Sequence, residues 1–293
     1  MKMGKYYGID VGGTTVKLGL FSENGLLQKW EIPTDTADGG RNILSDIVSS
    51  LPGPADAAAI GVPGAVLRDG TVNRCVNLGW GVCRPGDEFT AMTGIPCLMC
   101  NDANAAAIGE HWLGGGKGFD SVMVITLGTG IGAGVVVDNR LISGPHGAAG
   151  ELGHLCVMPE EPEPCSCGRH GCLEQYCSAT GIARLAEKAG LGHITAKDVF
   201  DQAKTGDKTA LTVVELACDL LGRGIASACT VIDPEAVVIG GGVSLAGEFL
   251  RLKVEHAFRK YAFHACAGTQ ICLATLGSEA GIYGNARLAM NLV

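Results

Sequence analysis

Apolar residues in the first part of the chain are grouped in a way that is typical of a β-meander. Residues 5–32, with the sequence KYYGIDVGGTTVKLGLFSENGLLQKWEI, give two strands around a glycine turn and a third strand after the turn ENG. Farther along, RNILSDIVSSL has the apolar spacing of a helix, and DAAAIGVPG is a short apolar run that ends in turn residues. The pattern therefore predicts three consecutive strands, followed by a helix and a further strand.

A second copy of the meander begins near residue 121. The segment SVMVITLGTGIGAGVVVDNRLI aligns with the first copy without a gap, so that Gly13 matches Gly128 and Thr14 matches Thr129. A helical pattern, TALTVVELACDLLGRGIASACTVI, and the apolar run AVVIGGGVS follow this copy too. Chance similarity between glycine-rich hairpins is the alternative. The gapless match favours an internal repeat, which predicts two lobes of like topology in an α/β protein with mixed sheets.

The bulk composition agrees with two lobes and disfavours several classes of function. A chain of 293 residues has room for two domains, and its 45 glycines and few aromatic residues (5%) indicate tight turns and small-residue packing. The formal net charge of −8 disfavours nucleic acid or anionic lipid as a partner. No apolar run approaches the ~20 residues of a membrane span, and no secretory signal is recognisable. We therefore expect a cytoplasmic protein that acts on small molecules.

Most of the 13 cysteines are expected to be reduced, buried thiols, because a disulfide framework is not typical of a cytoplasmic protein. Cys97 and Cys100 form a C-x-x-C in the run PCLMC. Such a spacing also occurs in redox sites. The apolar surroundings favour a buried strand at this position.

Three further cysteines, Cys165, Cys167 and Cys172, lie close together in the run CSCGRHGC. Three thiolates at this spacing suit zinc, which prefers four tetrahedral ligands, so one more ligand has to be found. Three free thiols in a loop are the alternative. The residues near enough in sequence to complete a site are His154, Cys156, His170 and Cys177.

Two glycine-rich turns, DVGGTT and LGTGIGAG, follow the first strand of each meander copy. Turns of this kind expose backbone N–H groups and threonine hydroxyls, which are donors for phosphate oxygens. Two such turns on paired lobes predict a nucleotide polyphosphate bound in the cleft between the lobes. Asp10, at the end of the first strand, could hold Mg²⁺ directly or through water, or could simply cap the turn.

Asp102 follows another apolar strand and precedes an alanine-rich helix in the run NDANAAAIGE. The helix N-terminus stabilises negative charge, so this carboxylate should stay ionised near neutral pH. In phosphoryl transfer, such a carboxylate can accept the proton of the acceptor hydroxyl. A plain helix N-cap would give the same local sequence.

Five stretches of the sequence, in this order, resemble the ROK family of sugar kinases and related repressors. They are IDVGGTTVKLGLF, NDANAAAIGE, TLGTGIGAGVVVDNRLISGPHGAAGELGH, CSCGRHGCLE and VVIGGGVS, and they span nearly the whole chain. The resemblance implies an α/β protein with an actin-like ATPase fold of the hexokinase type. It further implies two lobes that each contain a mixed β-sheet flanked by helices, with a cleft between them. We expect a small lobe of residues 1–107 and 281–293 and a large lobe of residues 108–280.

The resemblance also implies roles for individual residues. Asp102 is the expected catalytic base, and His154 is the expected fourth ligand of a structural Zn²⁺ beside Cys165, Cys167 and Cys172. The residues that it implies for sugar binding are Gly64, Asn77, Asn101, Asp102, Glu151, His154 and Glu174. Those that it implies for binding ATP and Mg²⁺ are Asp10, Gly12, Gly13, Thr14, Thr15, Lys17, Thr129, Gly130, Gly241 and Gly242.

A complete Cys3His site leaves no open coordination position, so the zinc would hold the loop and not act as catalyst. We expect it to hold Glu151 and Glu174 against one sugar. The acidic segment MPEEPEP, which ends directly before Cys165, departs from the family pattern, and its path is not predicted.

The expected function is ATP-dependent phosphorylation of a hexose, with glucose as the first choice. Alternatives are a kinase for N-acetylmannosamine, N-acetylglucosamine, fructose or allose, and a sugar-sensing regulator of the same family that lacks a DNA-binding domain. Repressors of the family carry a helix-turn-helix domain ahead of the first glycine turn, whereas strand one is expected here within about the first five residues, which favours the enzyme. The resemblance further implies a homodimer.

Overall fold

Residues 4–293 are described by a computed structural model. Their strands are β1 (Tyr6–Val11), β2 (Thr15–Ser22), β3 (Gly25–Pro33), β4 (Ala57–Val62), β5 (Val72–Cys75), β6 (Trp80–Cys83), β7 (Cys97–Asn101), β8 (Val122–Leu127), β9 (Ile131–Val137), β10 (Arg140–Ile142), β11 (Ala236–Gly240) and β12 (Gln270–Leu273). Their α-helices are α1 (Ile43–Ser50), α2 (Pro85–Thr93), α3 (Asp102–Leu113), α4 (Glu174–Cys177), α5 (Ala179–Lys188), α6 (Ala196–Lys204), α7 (Lys208–Ile232), α8 (Glu248–Tyr261) and α9 (Ala280–Met290). None of these helices has the length and apolar character that a membrane crossing requires.

The chain divides into two units. Unit 1 consists of the described residues up to Lys117, together with Leu141–Ala149 and Ser278–Val293. Unit 2 consists of Gly118–Arg140 and Gly150–Gly277. The boundary expected at residue 107 falls inside α3, which is one continuous helix and stays whole in unit 1.

Each unit contains a five-stranded mixed sheet, and the two sheets have the same strand order. In unit 1 the order is β3-β2-β1-β4-β7, and in unit 2 it is β10-β9-β8-β11-β12. The first strand of each copy pairs antiparallel with the second and parallel with the strand that follows the meander. The internal repeat predicted from the glycine turns is therefore confirmed at the level of sheet topology.

Each sheet packs its helices over its own core. In unit 1, Tyr7, Ile9 and Ile60 belong to one buried cluster, and in unit 2 Ile125, Ile239 and other strand residues pack against α7 and α8. The helix α7 extends over 25 residues because its apolar residues recur at helical spacing and its N-cap, Asp207, accepts the Ala210 N–H at 2.8 Å.

The last helix, α9, packs in unit 1 against β1 and α3. The approach is so close that a Cβ atom on Gly284 would lie 1.7 Å from the carbonyl oxygen of Ala105, so only glycine fits there. Ile282 and Ala286 of α9 are buried beside Phe21. The contact fixes the position of α3, whose first residue is Asp102.

Candidate active site and metal centre

Asp102 lies at the start of α3 and is hydrogen bonded to Asn101, which is in turn hydrogen bonded to Gly64. The side chain of Asn101 caps the helix by accepting the Asn104 N–H at 3.1 Å. The Asn101 Nδ2 donates to the Gly64 carbonyl at 3.2 Å and to Asp102 Oδ1 at 3.0 Å. The interpretation of Asp102 as a plain N-cap is therefore wrong, because Asn101 is the capping residue. Asp102 Oδ1 also accepts the Ala103 N–H at 2.8 Å, so the helix N-terminus orients its carboxylate.

Asp10 is the second carboxylate of unit 1 in this region. It lies in β1 opposite Lys17 of β2, and a Cβ atom on Gly281 would come within 2.6 Å of its Oδ2. Burial, together with the negative charge of Asp102, raises the pKa of Asp10 to about 6, against the opposing effect of Lys17. A carboxylate with this environment would gain strongly from a nearby cation.

The first phosphate turn is held in place by a residue that the sequence analysis did not find. Within the turn, the Gly12 N–H donates to the Thr15 carbonyl at 3.0 Å. From the end of β3, the Thr34 hydroxyl donates to the Gly12 carbonyl at 2.7 Å, and its N–H donates to the Thr14 carbonyl at 3.0 Å. No spacing in the sequence marks Thr34, because its partners are backbone carbonyls that every residue possesses.

Two other predicted residues of unit 1 lie around this turn. A Cβ atom on Gly13 would lie 3.9 Å from the backbone carbonyl oxygen of Asn77, so the loop that contains Asn77 and the first glycine turn are neighbours. Lys17, predicted to bind the nucleotide, donates from Nζ to the carbonyl of Ser278 at 2.9 Å. In this arrangement its ammonium group holds the chain just before α9.

The second phosphate turn, between β8 and β9, is held by α5 and by Glu174. The Thr180 hydroxyl donates to the Thr129 carbonyl at 2.6 Å, and the Ala179 N–H donates to the Gly128 carbonyl at 2.8 Å. Glu174 Oε2 accepts the Ile131 N–H at 2.9 Å. Each glycine turn therefore has one backbone carbonyl that accepts a hydrogen bond from a threonine hydroxyl.

His154, Cys165, Cys167 and Cys172 come together in unit 2, with one ligand atom of each within 4.8 Å of the others. The sulfur atoms of Cys167 and Cys172 are 3.7 Å apart, and Cys165 Sγ is 3.9 Å from His154 Nδ1. Zn–S bonds of about 2.3 Å in a tetrahedron require sulfur atoms roughly 3.8 Å apart, so the group fits zinc.

The structure also separates His154 from the other candidates for the fourth ligand. His170 has its Nδ1 3.0 Å from the Glu161 carbonyl oxygen. The buried Cys177 donates from Sγ to the Ala217 carbonyl at 3.2 Å, toward α7. Cys156 is exposed and is absent from the cluster of ligand atoms found among residues 4–293.

The pKa values of two thiols of the group shift in opposite directions, and burial raises that of Cys172 to about 12. Hydrogen bonding from the Arg169 backbone, followed by that from its side chain, lowers the pKa of Cys167 to about 6. A thiolate is the form that binds zinc. His154 Nε2, the ring nitrogen that does not face Cys165, lies 3.9 Å from Glu151 Oε2, so a carboxylate can orient the imidazole. By contrast, burial raises the pKa of Cys97 and Cys100 to about 12, as expected for structural thiols.

The acidic segment before Cys165 fastens the metal-binding loop to α4 and α5. Glu161, whose side chain is only 6% exposed, pairs with Arg184 at 3.0 Å and also accepts a short hydrogen bond from the Tyr176 hydroxyl. Glu163 pairs with the same guanidinium at 2.7 Å and with Lys188. The Arg184 side chain holds the pKa of Glu161 at about 2. The acidic segment, residues 158–164, therefore ties the loop to these two helices, and we call it the strap.

Replacing Glu161 with glutamine is expected to destabilise unit 2 by about 1–3 kcal/mol, because Arg184 loses its most buried anionic partner. Urea unfolding followed by circular dichroism measures the change. The exposed neighbour Glu160 supplies the matched control, and Glu160→Gln should change stability by less than about 0.5 kcal/mol. Equal effects of the two substitutions would contradict a role for the strap.

Gly241 and Gly242, which are predicted to bind ATP, lie at the turn after β11. Gly241 has a φ of 82°, and Gly242 begins the short 3-10 helix Gly242–Ala246. Gly242, Val243 and Leu245 line a cavity of about 340 Å³ together with Phe200 of α6 and its neighbours. The mainly apolar wall suits the face of a nucleobase.

Two units with the same sheet order, each with a glycine turn after its first strand, define an actin-like ATPase fold. A model of the ROK family matches residues 6–291. A glucokinase of Halalkalibacterium halodurans is 40% identical over 95% of this chain and 93% of that protein. An N-acetylmannosamine kinase of Escherichia coli is 36% identical over 96% of this chain and 97% of that protein.

Solved structures give the same result. The crystal structure of a ROK family glucokinase from Streptomyces griseus, in complex with glucose and AMPPNP, superposes with a TM-score of 0.82. It is 32% identical and covers 98% of this chain and 100% of that one. The chain belongs to the ROK family.

Proposed function

We propose that this protein transfers the terminal phosphoryl group of ATP to a hydroxyl of glucose, to give glucose 6-phosphate. The observation that carries the proposal is the group formed by Asp102, Asn101 and Gly64, in which a helix N-terminus presents a carboxylate beside an amide. The relatives support glucose, since one is a glucokinase and another was solved with glucose and AMPPNP.

Asp102 acts as general base in this proposal. Its carboxylate accepts the proton of the sugar hydroxyl while the hydroxyl oxygen forms a bond to the terminal phosphorus of ATP. The bond between that phosphorus and the bridging oxygen of ADP breaks, and ADP leaves with its negative charge. In unit 1, Asn101, Asn77 and the Gly64 backbone are proposed to bind sugar hydroxyls. In unit 2, Glu151, His154 and Glu174 are proposed to do the same. Carboxylate and amide groups suit a substrate that presents only hydroxyls.

The glycine turns bind the phosphates of ATP through their N–H groups and threonine hydroxyls. Mg²⁺ bound with ATP would be held near Asp10 and would neutralise charge on the transferred phosphoryl group. Burial of Asp10 supports this role, because a buried carboxylate with a raised pKa gains from a nearby cation.

We further propose that His154, Cys165, Cys167 and Cys172 hold a structural zinc. Protein purified without chelator should contain an equimolar amount of zinc by atomic emission, and Cys172→Ser should lose it. Cys156→Ser is the control, because Cys156 is next to the site in the fold but outside the ligand group. A wild-type protein without zinc, or an equal loss in both variants, would contradict the assignment.

A homodimer is also proposed, on the resemblance stated above and on exposed apolar side chains. Leu216 of α7 and Leu252 of α8 are 42% and 54% exposed, and apolar residues on a helix surface favour association with a second copy. Light scattering after gel filtration should give twice the chain mass of 30.1 kDa, and a mass of one chain would contradict the dimer.

Release of ADP in the presence of Mg-ATP and a panel of sugars tests the main proposal. The panel contains glucose, mannose, fructose, allose, N-acetylglucosamine and N-acetylmannosamine, with a blank that lacks sugar. We expect the highest kcat/KM with glucose. A preference for N-acetylmannosamine would contradict glucose as the substrate and would favour the activity named for the 36% identical relative. If no sugar increases ADP release above the blank, the proposal that the protein is a sugar kinase is contradicted.

A further inference from the structure

The two carboxylate oxygens of Glu174 accept hydrogen bonds from two different segments, the second phosphate turn and the metal-binding loop. Its Oε2 accepts the Ile131 N–H of the second phosphate turn at 2.9 Å. Its Oε1 accepts the Ser166 hydroxyl at 3.1 Å, and Ser166 lies between two of the cysteines of the metal-binding loop. A single side chain in unit 2 therefore bridges the phosphate turn and the loop that is proposed to face the sugar.

The phosphate turn is held through the carbonyls of its three residues. The carbonyls of Gly128, Thr129 and Gly130 all accept hydrogen bonds, from Ala179, Thr180 and Gly128. Within residues 4–293, the N–H groups of Thr129 and Gly130 have no protein acceptor, which leaves them as donors for a phosphate.

The Glu174 carboxylate also packs closely against Gly130 of the turn. A Cβ atom on Gly130 would lie 2.4 Å from Glu174 Oε2 and 3.2 Å from its carboxyl carbon. The turn and the carboxylate therefore pack directly against each other, and in this arrangement Glu174 satisfies the Ile131 N–H.

We propose that Glu174 is a positioning residue that couples sugar binding to nucleotide binding. The inference rests on the proposed function, in which a sugar hydroxyl donates to Glu174. A sugar bound at Oε1 restricts the carboxylate to the orientation in which Oε2 accepts the Ile131 N–H. The phosphate turn is then already ordered when the nucleotide arrives, so that each ligand raises the affinity for the other.

A purely structural role for Glu174 makes a different prediction. If the side chain only braced the turn, its loss would lower nucleotide affinity by the same factor with and without sugar. The quantity that separates the two roles is therefore the ratio of AMPPNP dissociation constants measured without sugar and at saturating glucose.

Isothermal titration of the full-length protein with Mg-AMPPNP, in the absence and presence of glucose, gives this ratio. For the wild type we expect a ratio of about 5–150, the usual range of coupling between sites. Glu174→Gln should reduce it to near one. Glutamine has nearly the same shape, but its amide has one acceptor oxygen, so it cannot accept from the sugar side and from Ile131 together.

Two further variants test the route of coupling. Thr180→Val removes another hydrogen bond of the turn, without touching the sugar side, and should lower AMPPNP affinity while the ratio stays at the wild-type value. Ser166→Ala removes the hydroxyl donor to Oε1 and leaves only the Cys165 thiol, at 3.9 Å, so the carboxylate depends more on the sugar and the ratio should rise. These variants also cover the case in which Glu174→Gln does not fold.

A wild-type ratio in Glu174→Gln, an unchanged or lower ratio in Ser166→Ala, or a ratio near one in the wild type would each overturn the inference. Direct titration of the wild type with glucose distinguishes failure of the coupling inference from failure of the proposed function. Glucose binding without coupling leaves the proposed function in place and overturns the inference alone. If glucose does not bind at all, both are overturned.

Discussion

Asp102→Asn is expected to lower turnover by a factor of about 10²–10⁴, the usual contribution of a general base, while glucose still binds. The asparagine oxygen can keep the hydrogen bonds from Ala103 and Asn101 that position Asp102 Oδ1. The variant therefore changes the chemistry of the group and preserves its geometry. Rates of ADP release measure turnover, and calorimetric titration with glucose measures binding.

Asp87 supplies a matched control for this experiment. It is also an aspartate in the first turn of a helix of unit 1, but its side chain is 67% exposed and pairs with Arg84. Asp87→Asn should leave turnover at the wild-type level. Full activity of Asp102→Asn would reject the role of base, whereas loss of glucose binding would show that the aspartate mainly holds the substrate.

The fold could be predicted from the sequence because its signal is local and occurs twice. Two strands around a glycine turn can be recognised from the spacing of apolar residues, and the matching of Gly13 with Gly128 indicated a repeat. The placement of β4 and β7 beside β1 is set by long-range packing. No local pattern specifies that order, which came from the resemblance.

The candidate site was predictable only where its residues form compact motifs. The three cysteines mark the metal loop by spacing alone, but the choice of His154 among four candidates needed the resemblance, and the structure supports it by grouping the ligand atoms. Thr34 and Thr180 were missed because each bonds to a backbone carbonyl of a residue that is distant in the sequence. Arg184 was missed since an arginine on a helix usually pairs within that helix or faces water.

Asp10→Asn is expected to stabilise unit 1 at neutral pH and to abolish phosphoryl transfer. The pKa of Asp10 is raised from 3.8 to about 6 in the folded protein, so the native state binds the proton more tightly than the unfolded chain does. Stability contributed by this group is therefore present below about pH 4 and is lost as the pH rises through about 6. A shift of about two pKa units corresponds to roughly 3 kcal/mol, which sets the upper limit of the gain.

Urea unfolding at pH 4 and at pH 7.5, without metal or nucleotide, tests this expectation. Asparagine cannot ionise, so the variant should gain up to about 3 kcal/mol at pH 7.5 and little at pH 4. Asp46→Asn, at an exposed position of α1, should change stability by less than about 0.5 kcal/mol at both pH values. A larger free energy of unfolding at pH 7.5, together with loss of turnover, means that the carboxylate serves function at the expense of stability. This is the expected result for a group that binds a cation during the reaction. An equal gain at both pH values would instead point to packing, and would remove the electrostatic argument for placing Mg²⁺ near Asp10.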